Sequence, residues 1–329
     1  MVRRSTMRMV FGIGLPIVAL FCIALASSSG AQAFPDRPIR LVVPFGAGSN
    51  NDVIARLVAE HMSKALKQPI IVDNRVGAGG IVGATNAARA EPDGYTVLFA
   101  NTTTMSIQPI LADPPPYEVS RTFQPISTLG RTALILVVSA RSEFKSAADL
   151  IDHIRKNKDA NYATAGNGTP MHLVGASFGL FNKLNLNPIP YRGSPEMTTA
   201  LLSGDVLFVF DGPTDIPFIK EGSLRGLAVT GFNRMKELPD VPTMAELGYP
   251  NTEYMVSWYG LVAPFGTPRK IIDVLNAAAR EAVEAKEVKA KLGTFGAEAF
   301  SGTPEEMVGF MNKASDTWMG IIRGAGLKQ

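Results

Sequence analysis

Two segments of this chain carry the residue types that could hold a small anion. Leu41-Val42-Val43-Pro44-Phe45 runs into Gly46-Ala47-Gly48-Ser49-Asn50-Asn51-Asp52, and Tyr162-Ala163-Thr164-Ala165 runs into Gly166-Asn167-Gly168-Thr169-Pro170. In each, a β-rich apolar stretch gives way to glycines and then to residues suited to start a helix. Ser49 and Asp52 have capping-box spacing, with Asp in place of the usual Glu. Thr169 is a natural N-cap ahead of Pro170 at the first helical position. Glycines let the backbone approach a ligand closely, and the free N–H groups at the positive end of a helix favour negative charge. Two such loops facing each other would hold a small carboxylate or phosphate. Either one alone is also just a well-capped strand-to-helix turn.

Other side chains could join such a site. Asn101-Thr102-Thr103-Thr104 is a hydroxyl-rich turn after a strand and could add donors, or it is a solvated loop. Asp211, at the end of the apolar run Val206–Phe210, could accept from an ordered water or a ligand amine. His172, near a helix start, suits a donor to a ligand or to a backbone carbonyl better than a catalytic base, because no nucleophile is evident beside it.

Competing chemistries fit less well. Gly46-x-Gly48 follows a strand, and Asp73 ends the next one, as a dinucleotide fingerprint asks, but the third glycine position is Asn51. Gly77-Ala78-Gly79-Gly80-Ile81-Val82-Gly83 has the glycines without the accompanying unit. Gly175-Ala176-Ser177-Phe178-Gly179 matches the hydrolase elbow, yet Ser177 falls inside the helix begun by Pro170, and His61, His153 and His172 all precede it. There is no His pair at helical spacing and no Asp-rich calcium loop, so neither a metal nor a cofactor is expected.

The elements that must position these residues alternate short apolar runs with helical periodicity, the pattern of an α/β protein. Strands are expected at Ile39–Phe45, Ile70–Val72, Tyr95–Ala100, Ile126–Val138, Asn161–Ala165, Val206–Phe210, Leu227–Thr230 and Val256–Ala263. The run Ile126–Val138 is long enough to pass from one domain into another. Ile54, Leu57, Val58, Met62 and Leu66 recur at helical spacing. Thr267-Pro268 should open one late helix and Thr303-Pro304-Glu305-Glu306 another, with Phe310, Met311, Trp318, Ile321 and Ile322 as the core face of the latter.

Residues 1–33 stand apart. Arg3, Arg4 and Arg8 precede an apolar run from Phe11 to Ala26, and the segment closes on Ala31-Gln32-Ala33, the build of a secretory signal cleaved after Ala33. Three of the 32 basic residues and none of the 29 acidic ones lie there, so the remainder is balanced at 29 of each. A balanced body without a Lys/Arg-rich run carries no footprint for nucleic acid. The single cysteine, Cys22, lies in this segment too, so the mature chain would depend on its core rather than on disulfides. The expected location is the periplasm.

Residues 34–329 resemble a known family, the Bug-type extracytoplasmic solute receptors of tripartite tricarboxylate transporters. The marks are Phe34-Pro35-Asp36-Arg37-Pro38-Ile39-Arg40-Leu41-Val42-Val43-Pro44-Phe45, Asp73-Asn74-Arg75-x-Gly77-Ala78-Gly79-Gly80 and Pro92-Asp93-Gly94-Tyr95. Then come Tyr162-Ala163-x-Ala165-Gly166-x-Gly168-Thr169-x-x-His172-Leu173, Pro190-Tyr191-Arg192-Gly193, Leu238-Pro239-Asp240-Val241-Pro242-Thr243, Trp258-Tyr259-Gly260-Leu261-x-Ala263-Pro264 and Gly302-Thr303-Pro304-Glu305-Glu306.

The resemblance implies a two-domain periplasmic-binding-protein fold of the type II, Venus-flytrap kind, whose chain crosses between domains twice. One domain would comprise residues 34–136 with 257–329, the other residues 137–256. It implies that a small carboxylate (a di- or tricarboxylate, an acidic amino acid or an aromatic acid) sits in the cleft and is passed to membrane partners of the transporter. Its site would be drawn from Phe45, Gly46, Ala47, Gly48, Ser49, Asn50 and Asp52 of the first loop and Ala165, Gly166, Gly168 and Thr169 of the second. Thr102, Thr103, His172, Tyr191 and Asp211 would add to these. Where members commonly carry a second glycine this chain has Ser49, and where they often carry Thr it has Asn51. With Asn50 these could favour a more polar or differently shaped acid. An exported enzyme acting on a small acid and a ligand-sensing subunit of a membrane kinase stay open as alternatives.

Overall fold

β1 (Ile39–Val43) is buried at every position but Arg40, as expected of a strand covered on both faces. The computed structural model describes residue 1 and residues 34–327, and all elements below belong to the unit Arg37–Gln329. The export signal read from residues 1–33 lies outside the described residues, residue 1 apart.

From β1 the chain enters α1 (Asn50–Leu66), which turns Ile54, Val58 and Met62 inward and ends at Lys67 in a left-handed conformation. β2 (Ile70–Asn74), α2 (Ile81–Ala88) and β3 (Thr96–Asn101) follow. A π-helical turn at Thr103–Ile107 and an α-helical turn at Gln108–Leu111 then lead towards β4 (Phe123–Thr132).

β5 (Ile135–Ser139) opens a second sheet, completed by β6 (Asp159–Thr164), β7 (Asn185–Pro190), β8 (Phe208–Asp211) and β9 (Leu224–Val229), with α3 (Ala147–Asn157), α4 (Pro170–Asn182) and α5 (Ser194–Ser203) between them. The chain returns in β10 (Ser257–Pro264) and ends through α6 (Arg269–Glu284), α7 (Lys286–Thr294), β11 (Glu298–Ala299) and α8 (Pro304–Gly324). The first sheet has the order β11-β4-β10-β3-β1-β2 and the second β7-β6-β8-β5-β9.

The strand directions decide what can meet. β1 is parallel to β2 and β3, so the segments after all three emerge at one rim. β10 is antiparallel to both β3 and β4, so β4 ends and β10 begins at that same rim. In the second sheet β6 is parallel to β7 and β8, and β5 is antiparallel to β8 and β9. The segments after β6, β7 and β8 therefore share a rim with the start of β5 and the end of β9. Both strand-level crossings, Thr132 to Ile135 and Val229 to Ser257, join the rim that bears the first glycine loop to the rim that bears the second. The crossings are also tied to each other: the Leu134 N–H donates to Thr230 Oγ1 at 2.9 Å, and the Thr230 N–H to the Leu134 carbonyl at 2.8 Å.

α8 links the cores of the two sheets. Met307, Phe310 and Met311 pack with Leu98, Trp258 and Val262 of the first. Ala314, Trp318, Ile321 and Ile322 pack with Phe178, Phe208 and Phe210 of the second.

Two local expectations change, and one strand is new. The run Ile126–Val138 is not one strand; it breaks at Ala133 and Leu134, and its halves serve different sheets. Thr267 does not cap the next helix. Its hydroxyl donates to the Pro264 carbonyl at 2.8 Å, and the helix begins one residue later, with Pro268 as N-cap. β7 has no counterpart among the expected strands; it carries Pro188 and Pro190 and lies at the sheet edge, where a missing N–H is tolerated.

Candidate functional site

The first loop is held from beneath by one carboxylate. Asp52 is buried, and its Oδ2 accepts from the Gly48 N–H at 2.8 Å and from Arg56 Nε at 2.9 Å. Its Oδ1 accepts from Asn74 Nδ2 at 2.8 Å, and the same nitrogen donates to the Phe45 carbonyl at 2.9 Å. Burial pushes the Asp52 carboxyl up, but the hydrogen bonds from Arg56, Gly48 and Asn74 outweigh it and hold its pKa below the ordinary value. Ser49 Oγ accepts from the Asp52 N–H at 3.3 Å, the expected cap. The return bond differs from a regular capping box, because Asp52 takes the N–H of Gly48 rather than that of Ser49. The N–H of Ser49 goes to the Gly46 carbonyl at 3.2 Å. The N–H groups of Gly46, Ala47, Asn50 and Asn51 have no partner among the described residues.

The second loop repeats the plan with a neutral group. The Gly168 N–H donates to His172 Nδ1 at 3.2 Å, and the His172 N–H donates to Thr169 Oγ1 at 3.4 Å. Thr169 Oγ1 donates in turn to the Gly166 carbonyl at 2.7 Å, while the Gly166 N–H donates to Thr164 Oγ1 at 3.0 Å. His172 was expected to donate; here Nδ1 accepts from the loop, which leaves the ring proton on Nε2. Burial lowers its pKa and keeps it neutral. The N–H groups of Asn167 and Met171 have no partner among the described residues. Ser177 lies well inside α4, so the hydrolase elbow is absent.

The third segment differs from its sequence reading. Thr102–Thr104 is helical rather than a turn, and Thr102 faces the protein. Its hydroxyl donates to the Val256 carbonyl at 3.2 Å and accepts from the Trp258 N–H at 2.8 Å, with 2% of the residue exposed, so it has nothing left for a ligand. Thr103 is half-buried. Asn101 Nδ2 donates to Asn51 Oδ1 at 3.2 Å, so the Asn51 amide oxygen is already engaged.

Residues 101–111 nonetheless touch both loops. A Cβ added at Gly80 would stand 2.6 Å from Thr104 Cγ2 and 3.5 Å from Phe45 Cζ, and one added at Gly168 would stand 2.7 Å from Leu111 Cδ1.

Asp211 and Tyr191 reach the rim of the second sheet by different means. The Tyr191 N–H donates to the Thr164 carbonyl at 2.8 Å, while the residue lines a cavity of about 430 Å³ with Pro195, Glu196, Thr199 and Asp205. Asp211 is fully buried. Its Oδ1 accepts from Ser194 Oγ at 2.9 Å and the Gly212 N–H at 2.7 Å, and its Oδ2 is unpartnered. Burial raises its pKa. Asp215, missed in the sequence, is equally buried. Its Oδ1 accepts from Thr198 Oγ1 at 2.7 Å, and burial with the nearby Asp211 charge pushes its pKa up to about 7.

A cavity of about 590 Å³ lies elsewhere, bounded by Arg131, Ala133, Gly231, Phe232 and Glu298. Its lining takes in the crossing residues Ala133 and Gly231 and the strand β11, and none of the glycine-loop residues. Among the described residues no group of three His, Cys, Asp or Glu could hold a metal, and no helix is long and apolar enough to cross a membrane.

The family model described as "Tripartite tricarboxylate transporter family receptor" matches residues 54–327. Among curated relatives, protein BugT of Bordetella pertussis is 34% identical over 324 residues, 95% of this chain and 98% of BugT. Among solved structures, a protein of R. palustris with adipate is 30% identical at a TM-score of 0.74, covering 89% of this chain and 98% of that one. MatC from Rhodopseudomonas palustris with bound malate is 29% identical at a TM-score of 0.71, covering 88% and 100%.

Proposed function

This chain belongs to the tripartite tricarboxylate transporter receptor family, and from that premise we propose that it is a periplasmic receptor, not an enzyme, that closes on a small carboxylate and delivers it to the membrane components of such a transporter. The ligand sits between the two glycine loops. Its carboxylate is held by backbone N–H groups of Gly46, Ala47 and Asn50 from one side and Asn167 and Met171 from the other, rather than by a dedicated arginine. The observation that carries this reading is the shared plan of the loops on rims joined by both crossings: each ties a glycine N–H to the third residue of its helix (the second loop ties Gly166 inward as well) and leaves other backbone N–H groups unpartnered. Ala133–Leu134 and the return segment beyond Thr230 act as the hinge, so binding shifts the lobes towards a closed form whose surface the transporter reads.

Asp52, Thr169 and His172 then serve as braces that aim the loops instead of touching the acid. The homologues' solved complexes with adipate and malate support a carboxylate as the ligand class.

A thermal-shift panel of mono-, di- and tricarboxylates, acidic amino acids and aromatic acids tests this. A cognate acid at ~100 times its dissociation constant should add about 2.7 kcal/mol of stability. Silence across the panel, with sugars or phosphate responding instead, would overturn it.

A further inference from the structure

Gln108 opens the short helical turn Gln108–Leu111, on the segment that touches both glycine loops. Its main-chain groups are engaged, the N–H with the Thr103 carbonyl and the carbonyl with the Ala112 N–H at 3.1 Å. Its side chain is half-buried and lies over Gly79: a Cβ added there would stand 2.7 Å from Gln108 Nε2 and 3.0 Å from Cδ. Gly79 has a φ of 62° and belongs to the glycine turn after β2, on the same rim as the first loop. The Gln108 carboxamide makes no hydrogen bond to any described residue, and it is not sealed from solvent.

Among the described residues, the arginines that flank the first loop are already engaged. Arg56 donates to Asp52 and Asn74, and Arg75 to Asp73. A ligand with a second negative group would therefore meet neutral donors here, and Gln108 offers an amide NH₂ on the strip between the loops.

We infer that the Gln108 carboxamide is a specificity-determining contact that donates from Nε2 to the second carboxylate of the bound acid, so that the receptor prefers dicarboxylates to monocarboxylates of equal length. This rests on the carboxylate-receptor reading. A site built to hydrogen-bond a polar group discriminates against analogues that lack it, because its own donor is then left unpaired.

Titration calorimetry with succinate against butyrate and adipate against hexanoate tests the inference. The wild type should prefer at least one diacid. Gln108→Leu should weaken that diacid roughly tenfold or more while moving the monoacid less than about twofold. Gln108→Glu should abolish diacid binding through like charge and spare the monoacid. Gly79→Ala, which displaces the amide, should reproduce part of the loss.

Should a leucine variant fold poorly, judged by melting without ligand, Gln108→Ser provides the same comparison. A diacid preference that survives in the Leu (or Ser) and Glu variants overturns the inference and leaves the receptor reading intact. A wild type that binds no acid at all overturns the receptor reading itself.

Discussion

In the first loop Gly48 donates its N–H to a carboxylate, Asp52 Oδ2, at 2.8 Å; in the second Gly168 donates to an imidazole, His172 Nδ1, at 3.2 Å. Both acceptors lie four residues beyond their glycine, on the first turn of the following helix, and both helices are capped by a hydroxyl three residues before that acceptor. Under the proposed function, a loop that presents amide hydrogens to an anion must be fixed by something other than those amides; the first loop gives up the Gly48 N–H to that end, the second the Gly166 and Gly168 N–H groups. The carboxylate is the stronger brace, since hydrogen bonds to a charged acceptor are roughly twice as strong as neutral ones. It also places a negative charge beneath the proposed anion site, which the Arg56 cation and the Asn74 amide donor offset. The imidazole adds no charge and makes the second loop the pH-sensitive one.

The comparison is most easily broken by removing the braces. Asp52→Ala should cost about 2–3 kcal/mol, since a buried acceptor of several bonds is lost while the half-exposed Arg56 is discounted for solvent. His172→Ala should cost about 1–2 kcal/mol. Urea denaturation of both variants checks the order; a larger loss at His172 would reverse the ranking of the braces.

Protonation should separate the loops next. The pKa of His172 lies below its ordinary 6.5 in the fold, so its contribution is complete above pH 6.5 and is lost as pH falls towards the folded value. Asp52 is depressed below its ordinary 3.8, so its contribution persists until pH falls through that range. Between pH 7 and about 5 the stability gap between wild type and His172→Ala should therefore narrow as pH falls, whereas the gap between wild type and Asp52→Ala should stay constant. Asp215 works in the opposite sense. Raised from 3.8 to about 7, it contributes fully below 3.8 and loses that contribution as pH rises to about 7. Asp215→Asn should therefore flatten the decline on the approach to pH 7, and a profile unchanged from wild type would show that the buried pair does not titrate there.

The smallest effects come from the caps. Ser49→Ala and Thr169→Val should each cost about 1 kcal/mol. The second should be the larger, because Thr169 also donates to the Gly166 carbonyl at 2.7 Å. Equal losses in chemical denaturation would argue that this extra bond stabilises nothing.

Much of the geometry of the two loops was legible in the sequence because strand, glycines, cap and helix are local signals. The Ser49 and Thr169 caps are where their spacing put them. What the sequence concealed was direction. Thr102 and Asp211 are polar residues at strand ends, yet one hydroxyl is bound between Val256 and Trp258 and one carboxyl is buried beside Asp215. Those partners stand far along the chain or, for Asp215, in a turn without periodicity. The role of Asn74 was hidden likewise, since its contact with Phe45 and Asp52 exists only once β1 and β2 pair. The break that divides Ile126–Val138 between two sheets is tied to Thr230, whose hydroxyl accepts from the Leu134 N–H, again a contact no local pattern encodes.

The claim at the centre is that backbone amides of the first loop meet the acid, and Gly46→Ala tests it most directly. Its φ is not positive and a Cβ there meets nothing within 4 Å, so an added methyl disturbs neither backbone nor packing. Unfolding free energy should stay within about 0.5 kcal/mol of wild type. If the acid meets the Gly46 amide as proposed, calorimetry with the acid that the panel identifies should show affinity falling roughly tenfold or more, because the methyl would crowd that approach and leave its carboxylate short of a partner. A folded variant that binds that acid as tightly as wild type would contradict the account.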